Sequence, residues 1–198
     1  MGSEMCIRDS PSHPLALEWL RQCPYVVCCD GAANTYIRSG RMPEAIVGDG
    51  DSLLPDIKER YASLIHSEAE QETNDLSKAF RFCLSQERKR ITIMGATGKR
   101  EDHTIGNVSL LADYMEQAEV SMMTDYGIFV PIREDSMFES YIGQQISVFN
   151  MNSTALSAEG LAYPLSVFTN WWQGTLNEAL ARHFIIRTEG KVLVFRVF

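Results

Sequence analysis

Short apolar runs alternate with helical patterns over the first 125 residues, and this alternation is the strongest constraint on the fold. Runs that begin at Tyr25, Ile46, Ile91 and Val120 resemble strands buried on both faces, and residues 64–67 form a weaker one. The segments between them carry apolar residues three or four positions apart. Because strands joined by crossover helices pair in parallel, the pattern predicts an α/β unit with a Rossmann-like parallel sheet over residues 11–126.

Acidic and basic side chains follow the ends of these predicted strands. The carboxyl ends of parallel strands share one edge of a sheet, where such folds bind ligands. We therefore expect side chains that are distant in sequence to converge there. They are Asp30, Asp49, Asp51, Asp75, Lys99, Arg100 and Asp102.

Asp49 and Asp51 stand one residue apart in a Gly-Asp-Gly-Asp turn after Ile46 and Val47. Two carboxylates at a flexible turn suit Mg²⁺, which commonly takes one or two carboxylates and completes its shell with water and phosphate oxygens. The alternative is an ordinary turn, since Asp and Gly are common turn residues. Asp75 has a similar alternative, because it or Asn74 fits the N-cap of the following helix.

A glycine-rich basic turn follows the strand that starts at Ile91. It lacks the first glycine and the Ser/Thr of a P-loop, so it is not one. Its backbone amides, with Lys99 and Arg100, would still hold phosphates, although an exposed basic turn is an equal alternative. Beside it, Asp102 and His103 fit either a helix cap with a surface imidazole or a metal ligand and proton acceptor.

Residues 127–198 have a different texture, with short alternating runs separated by Gly, Asn and Pro. This pattern predicts an antiparallel β-sandwich with strands near 138–142, 145–149, 165–168, 184–186 and 192–195. A short helical turn is expected near 177–182 and a domain boundary near 126–131. Tyr163 and either Trp171 or Trp172 fit core positions or a stacking surface for a cationic ring.

Bulk properties exclude several classes of protein. The net charge is −8, with 26 acidic against 18 basic residues, which argues against nucleic-acid binding. Five cysteines without CxxC spacing indicate reduced thiols and a cytoplasmic protein. No apolar stretch approaches a membrane span, and no leader is apparent. Residues 1–10 fit nothing around them, so we exclude them from the predicted fold.

Several blocks together resemble the thiamine pyrophosphokinase family, from about Tyr25 to the end of the chain. The matching blocks are Asp30-Gly-Ala-Ala-Asn34, Gly48-Asp-Gly-Asp-Ser52, Gln71 with Asp75, Gly95-Ala-Thr-Gly-Lys-Arg-Glu-Asp-His103 with Asn107, and Gly160-Leu with Tyr163-Pro-Leu165. The first four are highly specific in combination. The family's first strand is not recognisable in residues 1–10, which implies a sheet that lacks or has rebuilt that strand.

The resemblance implies an α/β nucleotide-binding domain, a C-terminal β-sandwich (127–198) for thiamine binding and dimerisation, and a homodimer with active sites between subunits. It further implies that diphosphate passes from ATP to the hydroxyl of thiamine, giving thiamine diphosphate and AMP with Mg²⁺.

The resemblance also implies roles for individual residues. Asp49, Asp51 and Asp75 would bind the metal, and Asp30 and Asn34 would line the triphosphate site. Phosphates or the attacking hydroxyl would be held by Thr97, Lys99, Arg100, Asp102 and His103. Thiamine or substrate contacts would come from Gln71, Asn107, Ser157 and Tyr163.

Two other functions remain open from the residues alone. Asp49-x-Asp51 after an apolar run is similar to the nucleophile motif of haloacid-dehalogenase-type phosphatases, although Gly48 and Leu53 do not fit that motif. A nucleotide-binding module without turnover is the second alternative. The dispersed acids argue against it, because binding a polyanion alone is better served by bases.

Overall fold

The computed structural model describes residues 4–7, 11–67 and 72–198. The chain forms two compact units. The first extends to Ser109 and includes Gln117–Asp125, and the second consists of Leu110–Glu116 and Tyr126–Phe198. The division after Asp125 falls where the texture of the sequence changes.

The first unit contains parallel strands joined by helices. The strands are β1 (Glu4–Ile7), β2 (Tyr25–Cys29), β3 (Ala45–Val47), β4 (Ile65–His66), β5 (Arg90–Met94) and β6 (Glu119–Met123). Their order is β4-β3-β2-β1-β5-β6, and each pairing within this set is parallel. The apolar runs are buried as expected, with Val27, Val47 and Ile93 at 0% exposure.

β1 corrects the exclusion of residues 1–10. Glu4 pairs with Tyr25 of β2 on one side and with Ile91 of β5 on the other, so Glu4–Ile7 is a central strand. The exclusion was wrong for these four residues, and the sheet does not lack a strand at this place. A four-residue strand is too short to show a period, and its position depends on pairing with strands that are distant in sequence.

Among the residues that the structure describes, five α-helices accompany the sheet. They are α1 (Pro14–Gln22), α2 (Ala32–Arg38), α3 (Pro55–Arg60), α4 (Asp75–Ser85) and α5 (Glu101–Tyr114). Asp125, just after β6, holds the start of α1, because its Oδ1 accepts from the backbone amides of Ser12 (2.7 Å) and His13 (2.8 Å). The helix starts are therefore tied to the ends of strands.

The second unit contains two antiparallel groups of strands. The strands are β7 (Gly127–Ile132), β8 (Ser136–Glu139), β9 (Gln145–Asn150), β10 (Leu156–Glu159), β11 (Asn177–Glu178), β12 (His183–Thr188) and β13 (Val192–Val197). Their orders are β11-β9-β13-β7 and β10-β12-β8. Both groups contribute to one core, in which Phe138 stacks on Phe184 at 5.1 Å and Ile146 and Val194 are fully buried.

Two expectations for this unit were wrong. Residues 165–168 are irregular, although Leu165 reaches the core; Pro164 precedes them and has no backbone N–H for a strand ladder. The helical turn expected near 177–182 is instead the strand β11, and a 3-10 turn lies at Trp171–Gly174. Most of the segment expected to hold the domain boundary lies in β7, and the two compact units divide just before it, after Asp125. Among the described residues, no helix is long and apolar enough to cross a membrane.

Candidate active site

Asp30 lies directly after β2 in a left-handed backbone conformation (φ +30°) and is only 5% exposed. The amide of Ser52 donates to its Oδ2 at 3.0 Å. Its Oδ1 is buried and has no hydrogen-bond partner among the described residues. Gly48 permits this arrangement, because a Cβ there would lie 2.8 Å from the Cβ of Asp30.

Three of the predicted acids interact electrostatically. Burial raises the pKa of Asp30 above its ordinary value; hydrogen bonds from Ser52 lower it, and the charges of Asp49 and Asp75 raise it further. Like charges have this effect only when they lie near one another. Asp30 therefore senses the charges of both Asp49 and Asp75.

Asn34 shapes the loop that follows β3. Its Nδ2 donates to the carbonyl of Ser52 at 2.8 Å, and its Oδ1 accepts from the amide of Leu54 at 3.0 Å. Both ends of the amide are thus engaged with backbone. Asn34 was predicted to line a triphosphate site, and here its side chain positions the loop that holds Asp30.

Asp49 and Asp51 are exposed, and Oδ1 of Asp49 accepts from the amide of Asp51 at 3.1 Å. One carboxylate oxygen of Asp49 therefore stabilises the turn, as the alternative of an ordinary Asp-Gly turn predicted. Lys58 fixes the same turn, since its Nζ donates to the carbonyl of Gly50 at 3.1 Å. An adjoining pocket of about 470 Å³ is lined by Gly50, Asp51, Leu53, Pro55, Lys58 and Glu59.

At the start of α4, Asn74 and Asp75 have different roles, although the sequence allowed either of them to be the N-cap. Asn74 is the N-cap, because its Oδ1 accepts from the amide of Ser77 at 2.9 Å. Asp75 is the first helical residue, with Oδ1 3.6 Å from Nζ of Lys78. Sequence reasoning missed Lys78; the available signal was a lysine on the buried face of this helix.

Asn107, which was predicted to bind substrate, lies on α5 and is 1% exposed. Its Nδ2 donates to the carbonyl of Ala96 at 2.7 Å, and its Oδ1 accepts from Nδ2 of Asn74 at 3.5 Å. The side chain therefore connects the basic turn after β5 to the start of α4.

The basic turn forms a pocket of about 240 Å³ that brings together part of the predicted nucleotide-binding set, but neither Asp30 nor Asn34. Its lining residues are Gly95, Ala96, Thr97, Lys99, Arg100, His103 and Thr104. A second pocket of about 170 Å³ shares Thr97 and Lys99 and is also lined by Pro11, Thr124 and Asp125. Thr124 and Asp125 were not predicted, although they directly follow the end of β6 at Met123, which is the signal that identified the other acids.

Arg100 and Asp102 form a bidentate pair on the surface. Nε of Arg100 donates to Oδ1 of Asp102 at 3.0 Å, and Nη2 of Arg100 donates to Oδ2 at 2.6 Å. Hydrogen bonding from Arg100 is the largest cause that lowers the pKa of Asp102, to about 2. Asp102 is therefore ionised near neutral pH and is a weak proton acceptor.

The donor set fits a Mg²⁺ that is shared with a ligand. Within the described part of the chain, no group of three or more His, Cys, Asp or Glu side chains is arranged to hold a metal by itself. Mg²⁺ usually takes one or two carboxylates and fills its shell with water and phosphate oxygens. The unpartnered Oδ1 of Asp30, near Asp49 and Asp75, suits that mode.

The second unit carries the remaining predicted residues. Ser157 is exposed on β10 and lines a pocket of about 390 Å³ with Asp135 and Arg187. Tyr163 is 64% exposed, and its backbone N–H and C=O are bonded to the Asn177 side chain at 3.1 and 2.8 Å. Gln71 lies outside the described residues.

Trp171 and Trp172 differ in their surroundings. Trp171 meets Phe149 edge-on at 5.9 Å, as expected for a packing role. Trp172 is 74% exposed.

A parallel α/β unit whose edge combines carboxylates with a cationic pocket, followed by an antiparallel β unit, defines the class of this protein. Residues 16–123 match the family model for the catalytic domain of thiamin pyrophosphokinase, and residues 127–195 match the model for its substrate-binding domain. The chain therefore belongs to the thiamin pyrophosphokinase family.

Individual relatives agree with this assignment. The chain is 30% identical over 129 residues to thiamine pyrophosphokinase 1 of Oryza sativa subsp. japonica, covering 52% of this chain and 49% of that protein. It is 34% identical over 86 residues to thiamine pyrophosphokinase of Bacillus subtilis, covering 41% and 40%. The matched region thus spans about half the length of the rice relative, and less of the bacterial one.

Solved structures share the fold. The crystal structure of thiamine pyrophosphokinase from Bacillus subtilis superposes with a TM-score of 0.83 at 20% identity, covering 98% of this chain and 99% of that one. The enzyme from Candida albicans gives a TM-score of 0.80 at 18% identity, covering 100% and 89%.

Proposed function

We propose that the protein is a thiamine pyrophosphokinase, which transfers diphosphate from Mg-ATP to the hydroxyl of thiamine and releases AMP. The first unit would be a Rossmann-like nucleotide-binding domain, and the second a β-sandwich that binds thiamine and forms a cytoplasmic homodimer with active sites between subunits. The family assignment and the site geometry support this proposal.

The observation that carries the proposal is the connection made by Asn107. Through Ala96 it reaches the basic turn, and through Asn74 it reaches the residue before Asp75. These two hydrogen bonds of Asn107 fix the position of the cationic pocket, which has room for phosphates, relative to the carboxylates. Transfer of a phosphoryl group depends mainly on such alignment and on neutralised charge.

The residues divide the chemistry between them. The hydroxyl oxygen of thiamine attacks the β-phosphorus of ATP and its proton passes to water, the bond from that phosphorus to the oxygen that bridges it to the α-phosphorus breaks, and AMP leaves with that oxygen. Lys99 and the backbone of Thr97 would hold the nucleotide phosphates in the pocket. A bound Mg²⁺ would offset negative charge on the transferring group. Asp102, weakened as a base by Arg100, would keep the guanidinium oriented.

The second unit offers groups suited to thiamine, a cationic heterocycle. Tyr163 and Trp172 are exposed aromatic side chains, and aromatic faces attract cations. Exposed apolar side chains on this unit, including Met137, Ile142 and Leu176, support a dimer interface. Among the described residues, Cys23, Cys28, Cys29 and Cys83 form no disulfide, which supports a reducing compartment.

The test is direct. Purified protein is incubated with Mg-ATP and thiamine, and products are separated by chromatography. We expect thiamine diphosphate and AMP, and a loss of at least about 100-fold for Asp49→Asn and Asp51→Asn if these carboxylates organise the metal. Asp113→Asn, an exposed acid on α5, is the matched control and should retain activity. Formation of ADP and thiamine monophosphate would reject the proposed reaction.

A further inference from the structure

Lys78 is a buried lysine on α4, with 5% of its surface exposed. Its helix neighbours Leu76, Ala79 and Phe80 are buried as well. Lysine is rarely buried unless it is paired. Its Nζ lies 3.6 Å from Oδ1 of Asp75, which is too long for a hydrogen bond but within the range of an ion pair, partly screened because the Asp75 side chain is 41% exposed.

The neighbouring acids explain why a cation is useful there. Asp30 senses the charges of both Asp49 and Asp75, and it is nearly buried, with one oxygen unpartnered among the described residues. Carboxylates that share a site repel one another. A fixed positive charge beside Asp75 offsets part of that repulsion and holds its carboxylate in one orientation.

We propose that Lys78 is a resident counter-cation: it balances the acids in the free protein and biases the site toward a metal–nucleotide complex over the free metal. This inference rests on the proposed function. The physical reason is the sign of the charges. Lys78 repels a free divalent cation, whereas it attracts the net negative complex of that cation with ATP.

The test measures Mn²⁺ binding by electron paramagnetic resonance, with and without ATP. For Lys78→Met we expect Mn²⁺ alone to bind about tenfold more tightly and Mn-ATP about tenfold more weakly, in opposite directions. Lys78→Arg keeps the charge and should stay within about twofold of wild type, a change of under half a kcal/mol. Lys78→Gln is a second neutral variant, and thermal unfolding checks that each variant is folded.

Lys89→Met is the matched control. Lys89 is exposed and precedes β5, at the amino end of the strands rather than the carboxyl end. The Lys89→Met variant loses the same charge far from the acids, so its affinities for Mn²⁺ and for Mn-ATP should both equal those of the wild-type protein.

Two results would overturn the inference. If Lys78→Met weakens both ligands alike, the residue has only a structural role; if neither affinity changes, it carries no charge-balancing role. The proposed function fails separately, when wild-type protein binds no Mn²⁺ even with ATP present.

Discussion

Replacing Asn107 with Leu tests whether the connection between the basic turn and α4 holds the site together. The two side chains have the same number and branching of heavy atoms, and Leu is the larger, so the change removes hydrogen bonds without leaving a cavity. The carbonyl of Ala96, a residue only 4% exposed, loses its 2.7 Å donor. A buried group left unpaired costs about 1–3 kcal/mol. Asn74 is exposed and regains water, so its lost bond adds little.

The variant should therefore still fold, with a free energy of unfolding lower by about 1–3 kcal/mol, since domains are typically stable by about 5–15 kcal/mol. Its activity should fall by more than this loss of stability explains. The basic turn is no longer fixed relative to Asp75, and a displacement of about 1 Å at a reacting centre can cost about 100-fold in rate.

Three measurements check this prediction: urea unfolding, formation of AMP, and amide hydrogen exchange. Exchange should accelerate at the amide of Ser77, which bonds to Asn74, and over residues 96–104. Ser109→Ala is the control, because it removes a 2.7 Å bond to the carbonyl of Gly106 within the same helix. Unchanged exchange and turnover in Asn107→Leu would refute a connecting role.

Three further predictions follow from single contacts. Asp30→Asn should raise the melting temperature at neutral pH. Because the pKa of Asp30 is raised, the folded protein binds more protons than the unfolded chain between the two pKa values, so this carboxyl lowers the free energy of unfolding as pH rises through that range. The activity of the variant should fall at least about tenfold. Arg100→Ala should return the pKa of Asp102 from about 2 toward its ordinary 3.8, which an NMR titration of the carboxyl group measures. In the wild-type protein, the Arg100–Asp102 pair stabilises the fold above the ordinary pKa, and this stabilisation is lost as pH falls toward 2. Asn177→Ala removes both backbone bonds to Tyr163 and should cost about 2 kcal/mol in urea unfolding and raise the KM for thiamine.

Strands whose own residues are apolar and continuous were predicted well from the sequence. β2 matches its predicted run, because a strand buried on both faces needs an unbroken apolar stretch and Val26 to Cys29 supply it. β1 was missed for the opposite reason, because four residues in a polar context show no period. Its place between β2 and β5 comes from hydrogen bonds to both neighbours.

The chemistry of the site was more predictable than its contacts. A parallel sheet has a fixed polarity, so acids after successive strands must share an edge whatever their distance in sequence. No local pattern shows which partner each side chain meets. Asn107 was predicted as a substrate ligand from a family resemblance, and nothing in the sequence indicated its hydrogen bond to Ala96; nor did the sequence show that Lys78 lies beside Asp75.

Hydrogen bonding distinguishes the predicted acids from one another. Asp49 uses one oxygen in its own turn, and Asp102 has both oxygens bonded to Arg100. Asp30 differs, since its Oδ1 is buried and lacks a hydrogen-bond partner among the described residues. Such an oxygen destabilises the free protein, and a ligand that bonds to it removes that cost. A cation held there together with ATP should therefore raise the stability of the protein, by an amount that grows with ligand concentration.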